Sequence, residues 1–250
     1  MTVLTSQLPS GGHGYTFPSV EIKPFTFLEL TGYLENVPSD PLEKYIFDTK
    51  VLCKDDPKVY ELYVMDLDFL IFFKKLCTVS ADLSYDLTLT CPDCGAKIKK
   101  NVKLDSDIHF TQIDKEVMNG AFIELNGHKY EVEVPTVRDF LQVLSRYTRY
   151  RKISDLKTIK TIALIKEFRT EGNQVEDDVL GATHNDITLL VALRELYYDR
   201  VEPIRVICPE CGNKDGERRG ISVSVDSLIG DFFRDIFNNS PIDGTKILFK

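Results

Sequence analysis

Two near-identical cysteine motifs, far apart in the chain, constrain the fold more than any other feature of the sequence. Cys91 and Cys94 lie in CPDCG, and Cys208 and Cys211 lie in CPECG. In such a knuckle the turn aims backbone N–H groups at the sulfurs, and the glycine permits the chain to reverse. Each knuckle offers two thiolates, whereas a structural zinc site uses four, about 2.3 Å from the metal. The motifs predict that both knuckles face one another and hold one structural Zn²⁺.

The segments beside each knuckle alternate between apolar and polar residues. YDLTLT and AKIKKNVKL surround the first knuckle, and RVI and GISVSV surround the second. Alternation of this kind predicts β-strands, so each knuckle is expected at the tip of a hairpin, as in a zinc ribbon. Residues 95 to 207, 113 in all, separate the two knuckles. The metal is therefore predicted to join two distant parts of the chain, in a split ribbon.

Other uses of cysteine pairs remain as alternatives. A redox Cys-x-x-Cys motif or a disulfide is the main one, although a redox motif normally lies at a helix N-terminus and not between strands. A catalytic zinc is disfavoured, because four thiolates leave no position for water. The remaining cysteines, Cys53 and Cys77, follow apolar residues and are predicted to be small buried side chains.

Composition indicates a globular chain without a whole-chain attraction to polyanions. The 250 residues are 43% hydrophobic and 28% charged, with a formal net charge of -8. An acidic chain of this kind is not drawn to nucleic-acid backbones or anionic membranes. There is no apolar run of about 18 residues and no apolar leader at the start, so a soluble protein with no membrane partner is expected.

The order of predicted elements gives an α+β protein built from four parts. An N-terminal block of a strand plus helices leads into the first knuckle, and a hairpin followed by helices separates it from the second. The predicted parts are an N-terminal arm (1–19), a core with the zinc ribbon (20–113 plus 200–237), a hairpin-plus-helical insertion (114–199) and a C-terminal tail (238–250).

Local signals place several element ends. Thr26 with Glu29 predicts a capping box, and Asp40 before a proline predicts a second helix start. Asn126-Gly127 between alternating segments predicts a two-residue hairpin turn.

No pattern in the chain indicates catalysis. There is no nucleophile motif, phosphate-binding loop or dinucleotide fingerprint, and the four histidines fall in loops or turns without helical pairing. The carboxylates fall at caps and on polar helix faces. We therefore expect a non-enzymatic protein with no small-molecule substrate.

Nucleic-acid binding is the alternative function. Basic residues lie beside the first knuckle, and the segment RYTRYRK (146–152) interleaves basic residues with tyrosines that could stack on bases. The acidic balance of the whole chain argues against this function. The residues assigned to it as an alternative are Lys97, Lys99, Lys100, Arg146 and Arg149.

The order of several segments resembles a known family. LPSGGHGYTFPSVEIKPFTFLEL, then MDLDFLIFF, then DLTLTCPDCGAKIKKNVKL together resemble bacteriophage baseplate hub and hub-assembly proteins of contractile-tailed phages. The resemblance covers residues 8–104, and the second knuckle extends it. One departure is that Lys74 and Lys75 stand where the family often has an arginine.

The resemblance implies a structural or assembly role without catalysis. The implied partners are other proteins of the phage tail and baseplate hub. The implied location is the virion tail baseplate, or the host cytoplasm during assembly.

Overall fold

The computed structural model of the chain describes residues 1–79, 84–103, 110–150, 155–170, 173–198, 204–212 and 221–223. Within these residues, helices alternate with four two-stranded antiparallel sheets. The predicted α+β class is confirmed. The predicted tail, 238–250, lies outside the described residues, as does most of the segment that follows the second knuckle.

The elements are numbered along the chain. The strands are β1 Thr2–Leu4, β2 Ser19–Glu21, β3 Ser84–Thr90, β4 Lys97–Lys103, β5 Ala121–Leu125, β6 His128–Val132, β7 Ile204–Val206 and β8 Ile221–Val223. The α-helices are α1 Phe27–Asn36, α2 Pro41–Asp55, α3 Val64–Val79, α4 Lys115–Met118, α5 Val137–Tyr150, α6 Leu156–Ala163, α7 Lys166–Thr170, α8 Asn173–Leu180 and α9 His184–Tyr197. Two short 3-10 helices cover Thr5–Gln7 and Pro57–Glu61.

The chain divides into two compact units. The first, called here the body unit, comprises residues 1–74 and 110–200, and the second, called the cysteine unit, comprises residues 75–109 and 201–250. The hairpin and helices predicted as an insertion, 114–199, therefore belong to the same unit as the N-terminal block.

The body unit has one hydrophobic core that draws on most of its elements. Side chains from the N-terminal segment, from α2 and α3, from the β5–β6 hairpin and from α5 to α9 form a single cluster. Its large and fully buried members include Leu8, Leu67, Leu125, Phe140, Phe168 and Tyr197. Since this core spans chain positions on both sides of the first knuckle, both segments of the body unit are needed to build it.

The predicted helix caps are present. Thr26 Oγ1 accepts from the Glu29 N–H at 3.3 Å, and the Glu29 carboxylate accepts from the Thr26 N–H at 2.8 Å, which completes the capping box. Asp40 accepts from the N–H groups of Leu42 and Glu43 at 2.9 and 3.0 Å. These side chains satisfy N–H groups that the first helical turn leaves without partners.

Residues 1–19 differ from the extended arm that was expected. β1 pairs with β2, and Leu8 is fully buried in the core of the body unit. The loop that follows is tied down as well, because the Ser10 N–H donates to Asp66 Oδ1 at 2.8 Å. The Tyr15 hydroxyl also donates to Asp66, and it accepts from the Tyr63 N–H at 2.7 Å.

Gly14 shows why this loop needs glycine. Its φ is +83°, in the left-handed region that side chains disfavour. A Cβ at this position would lie 2.5 Å from the Tyr63 hydroxyl oxygen. The loop therefore approaches Tyr63, the residue before α3, as closely as it does only because Gly14 has no side chain.

The β5–β6 hairpin turns at Asn126 and Gly127, as predicted. Both residues have positive φ, +50° and +81°, which a two-residue turn of this class requires. None of the described helices is long and apolar enough to cross a membrane.

Candidate metal centre

The first knuckle is built on the hairpin of β3 and β4. The strands pair in antiparallel register up to Thr90 opposite Lys97, and Cys91 follows β3 directly. The Cys91 N–H donates to the Ala96 carbonyl at 2.9 Å, and the Gly95 N–H donates to the Cys91 carbonyl at 2.9 Å. These two bonds fold the turn so that both of its thiols lie on the same side as the second knuckle's thiols.

The second knuckle repeats this geometry. β7 pairs with β8, with Val206 opposite Ile221, and Cys208 lies two residues beyond the strand. The Gly212 N–H donates to the Cys208 carbonyl at 3.0 Å. Gly212 has a φ of +59°, matching the +74° of the glycine in the first knuckle, so both turns use glycine for the same reversal.

The four sulfurs form one compact cluster. Their Sγ atoms all lie within 4.8 Å of one another. Cys91 Sγ is 3.7 Å from Cys211 Sγ, and Cys94 Sγ is 3.7 Å from Cys208 Sγ. Four sulfurs placed tetrahedrally about 2.3 Å from a metal would be about 3.8 Å apart. The predicted ligands Cys91, Cys94, Cys208 and Cys211 are thus close enough together to hold a metal ion.

The pKa values of two thiols in the cluster shift in opposite directions. The Cys211 and Glu210 N–H groups donate to the Cys208 sulfur, which lowers the pKa of that thiol to about 7. At Cys94 the Ala96 N–H also favours the thiolate, but desolvation and the hydrogen bonds of the other three cysteines raise its pKa to about 12. Without a cation, the Cys94 thiol therefore favours its protonated form, and a bound cation would favour the thiolate instead.

The donor set limits the chemistry of this centre. All four candidate ligands are cysteines, which leaves no open position for water or substrate in a tetrahedral site. Cys91 and Cys208 are buried, whereas Cys94 is exposed and Cys211 is half-buried. The arrangement suits a centre that holds two hairpins together.

The other two cysteines are not part of the cluster. Cys53 is buried in the body unit, as predicted, and burial raises the pKa of its thiol. Cys77 is half-buried, and burial raises its pKa as well. None of the six cysteines forms a disulfide.

The lysines beside the first knuckle divide between two faces of β4. Lys97 and Lys99 are exposed on one face, while Lys100 lies on the opposite face with the buried Ile98 and Val102. The same exposed face carries an acid, because Asp86 of β3 accepts from the Asn101 side chain at 2.7 Å. Alternation along the strand thus separates residues that the sequence places side by side.

The basic residues of α5 have a different environment. Arg146 donates a hydrogen bond to the backbone carbonyl of Arg169, which ties α5 to α7 within the body unit. Arg149 lies in α5, but its side chain is outside the described residues, as are those of Tyr147 and Tyr150. The nucleic-acid site stays a prediction.

Two backbone partners of the cluster, Ala96 and Glu210, were not among the residues predicted from the sequence. Ala96 accepts from one cysteine N–H, and Glu210 donates to one sulfur. Their positions beside the cysteines could have indicated this role, because backbone N–H groups in a Cys-x-x-Cys turn are expected to point at the sulfurs.

A family model described as T4 bacteriophage base plate protein matches residues 1–222. No curated protein and no solved structure matches the chain.

Proposed function

The chain belongs to the T4 bacteriophage base plate protein family, and from this membership we propose that it is a non-enzymatic component of the tail baseplate hub or a factor that assembles the hub. The single observation that carries the proposal is the family match, which covers both cysteine knuckles and the whole body unit. The proposed partners are other proteins of the phage tail. The proposed location is the virion tail, with the host cytoplasm as the place of assembly.

We further propose that the four cysteines hold one structural Zn²⁺ in a split zinc ribbon. The sulfur separations support this, and so does the donor set, because a tetrahedral set of four thiolates is typical of structural zinc and, otherwise, of iron–sulfur centres.

The hydrophobic core gives a physical reason for a metal. Every member of the main hydrophobic cluster lies in the body unit. Among the described residues of the cysteine unit, the buried apolar side chains besides the cysteines are Ile98, Val102 and Val206. Small units that bury few apolar side chains commonly depend on a metal for folding, so the described part of the cysteine unit is consistent with a bound metal.

Intact virions test the hub proposal. Mass spectrometry of purified virions should find the chain at a few copies if it is a hub subunit. If it is an assembly factor, the chain should be absent from virions, and its deletion should stop tail assembly. Complete, infectious tails from a deletion strain would contradict both forms of the proposal.

Metal analysis of the purified chain tests the zinc proposal. We expect about one equivalent of zinc per chain, and this zinc should remain bound through dialysis. Chemical modification of the thiols should release it. Less than about half an equivalent, with thiols that oxidise and are reduced again as a pair, would instead support a redox site.

A further inference from the structure

The outer edge of β5, in the body unit, is unpaired in the part of the chain that the structure describes. In a hairpin with a two-residue turn, Leu125 and His128 exchange backbone hydrogen bonds, and bonded pairs then alternate along the strands. With the observed register, the N–H and C=O groups of Phe122 and Glu124 point away from β6. These groups are what an added strand would bind.

The opposite edge of the same hairpin shows the alternation directly. On β6, the outward Glu131 N–H donates to both carboxylate oxygens of Glu167 at 3.2 Å. Just beyond the strand, the Glu133 N–H donates to the Leu164 carbonyl at 2.9 Å. The chain thus covers the β6 edge with its own groups. Among the described residues, no strand pairs with the β5 edge.

The side chains along this edge do not block it. Strands protect their edges with charged side chains, lysine especially, or with proline or a bulge. β5, with the sequence AFIEL, has no lysine, proline or bulge, and Glu124 is its one charged residue. Phe122 is 67% exposed, and the Nζ of Lys129 lies 4.2 Å from its ring centroid. Glu124 is exposed and has no ion-pair partner among the described residues. The edge therefore offers an aromatic ring and, two residues on, an exposed carboxylate.

We propose that the outer edge of β5 binds an extended segment of another protein as a third strand. The main chain of Phe122 and Glu124 would supply the hydrogen bonds, and their side chains would select the sequence. The residue opposite Phe122 is then apolar, and the residue opposite Glu124, two positions away on the same face, is Lys or Arg. This proposal depends on neither the metal nor the baseplate role.

A short synthetic peptide provides the probe. Acetyl-Thr-Lys-Thr-Leu-Thr-Lys-Thr-amide places leucine two residues from lysine in either direction, so it satisfies the pattern whether it binds parallel or antiparallel. The control peptide has glutamate in place of both lysines. Amide hydrogen exchange of the full-length, metal-loaded chain is followed by NMR with each peptide.

The lysine peptide should slow exchange of the Phe122 and Glu124 amides by about tenfold or more when it saturates the chain. The Glu131 amide, which is already bonded, should not change and serves as the internal reference. Unchanged exchange at both edge amides with millimolar peptide would overturn the proposal. Slow exchange without peptide, in a chain that sediments as a dimer, would also overturn it, because a second copy would then occupy the edge.

A charge reversal tests the specificity. Glu124→Lys should weaken binding of the lysine peptide about two- to fivefold and strengthen binding of the glutamate peptide by a similar factor, as expected for a cross-strand ion pair. The matched control is Glu116→Lys, which reverses an exposed acid on α4 and leaves the peptide preference unchanged. Equal shifts in both variants would show that net charge, and not the edge, governs binding.

Discussion

Among single residues, Asp66 joins the N-terminal loop to α3. It is fully buried and accepts hydrogen bonds from the Ser10 N–H and the Tyr15 hydroxyl. Burial raises its pKa from 3.8 to about 6, although both hydrogen bonds act in the opposite direction. The loop is therefore attached through a carboxyl group whose charge changes near neutral pH.

A pH dependence of stability follows from Asp66. The folded chain binds this proton more tightly than the unfolded chain does. The stabilisation that protonated Asp66 gives the folded chain is therefore complete below about pH 4, and it is lost as pH rises through about 6. The loss amounts to about 2 to 3 kcal/mol. Asp66→Asn, which stays neutral, should remove this part of the pH dependence. Urea unfolding of both proteins from acid to neutral pH measures the difference, and parallel curves would contradict the assignment.

Cys94 tests the metal centre. Cys94→Ser removes one of the four candidate thiolates, so bound zinc should fall below about half an equivalent and the amides of β3 and β4 should exchange faster. Assembly should be impaired as a consequence. Cys77→Ser is the matched control, because Cys77 is half-buried and lies outside the cluster. A Cys94→Ser chain with full zinc and unchanged stability would show that the split-ribbon prediction is wrong.

Among the elements, the segment between β2 and α1 is held by one lysine of α3. Lys74 is buried, donates to the Lys23 carbonyl and pairs with Asp55 at 2.7 Å. Its Nζ also lies 4.4 Å from the ring centroid of Phe25. The Lys23 N–H donates to the same carboxylate at 3.0 Å. Three segments of the body unit therefore meet at this ion pair.

Replacing Lys74 should lower the free energy of unfolding more than replacing a surface lysine does. Lys74→Met leaves the Asp55 carboxylate, which is 12% exposed, without its cation, and we expect a loss of about 3 kcal/mol in the free energy of unfolding. Lys58→Met removes a lysine that is 48% exposed and lies 3.9 Å from Asp56, and it should change stability by less than about 1 kcal/mol. Denaturant titrations compare the two variants. Equal, small effects would mean that the buried pair contributes little.

Local signals explain which elements were predictable. The cap at Thr26, the helix start at Asp40 and the turn at Asn126-Gly127 follow from side chains within a few residues, so the sequence predicts them directly. The packing of residues 1–19 depends on Asp66 and on the close approach of Gly14 to Tyr63. Those contacts join residues about 50 positions apart, and nothing in the local pattern indicates them.

For the whole molecule, the two units draw stability from different sources. The body unit has an extensive hydrophobic core, and the residues of that core that the structure describes all belong to the body unit. Removal of the metal by a strong chelator should therefore abolish exchange protection in β3, β4 and β7 while the body unit keeps its unfolding midpoint. Hydrogen exchange before and after chelation measures this. A body-unit midpoint that falls together with the cysteine-unit protection would contradict separate sources of stability.

The meeting of the cysteines was predictable although they are far apart, because two thiolates alone cannot complete a zinc site. The division into units was not predictable in the same way. The sequence predicts residues 114–199 as an insertion between the knuckles. In the structure, apolar side chains of this segment and of residues 1–74 form one core. Only the packed side chains show which segments share a core.

The 113 residues between the knuckles have a mechanical consequence. With a metal bound to the four thiolates, tension that enters through β3 and leaves through β8 passes from Cys91 and Cys94 to Cys208 and Cys211 across the metal–sulfur bonds. The intervening chain, including α5 to α9, lies outside this path, so the tension does not act along it. A tail protein built this way can be pulled along its ribbon strands without unfolding the helices in the loop that the metal closes.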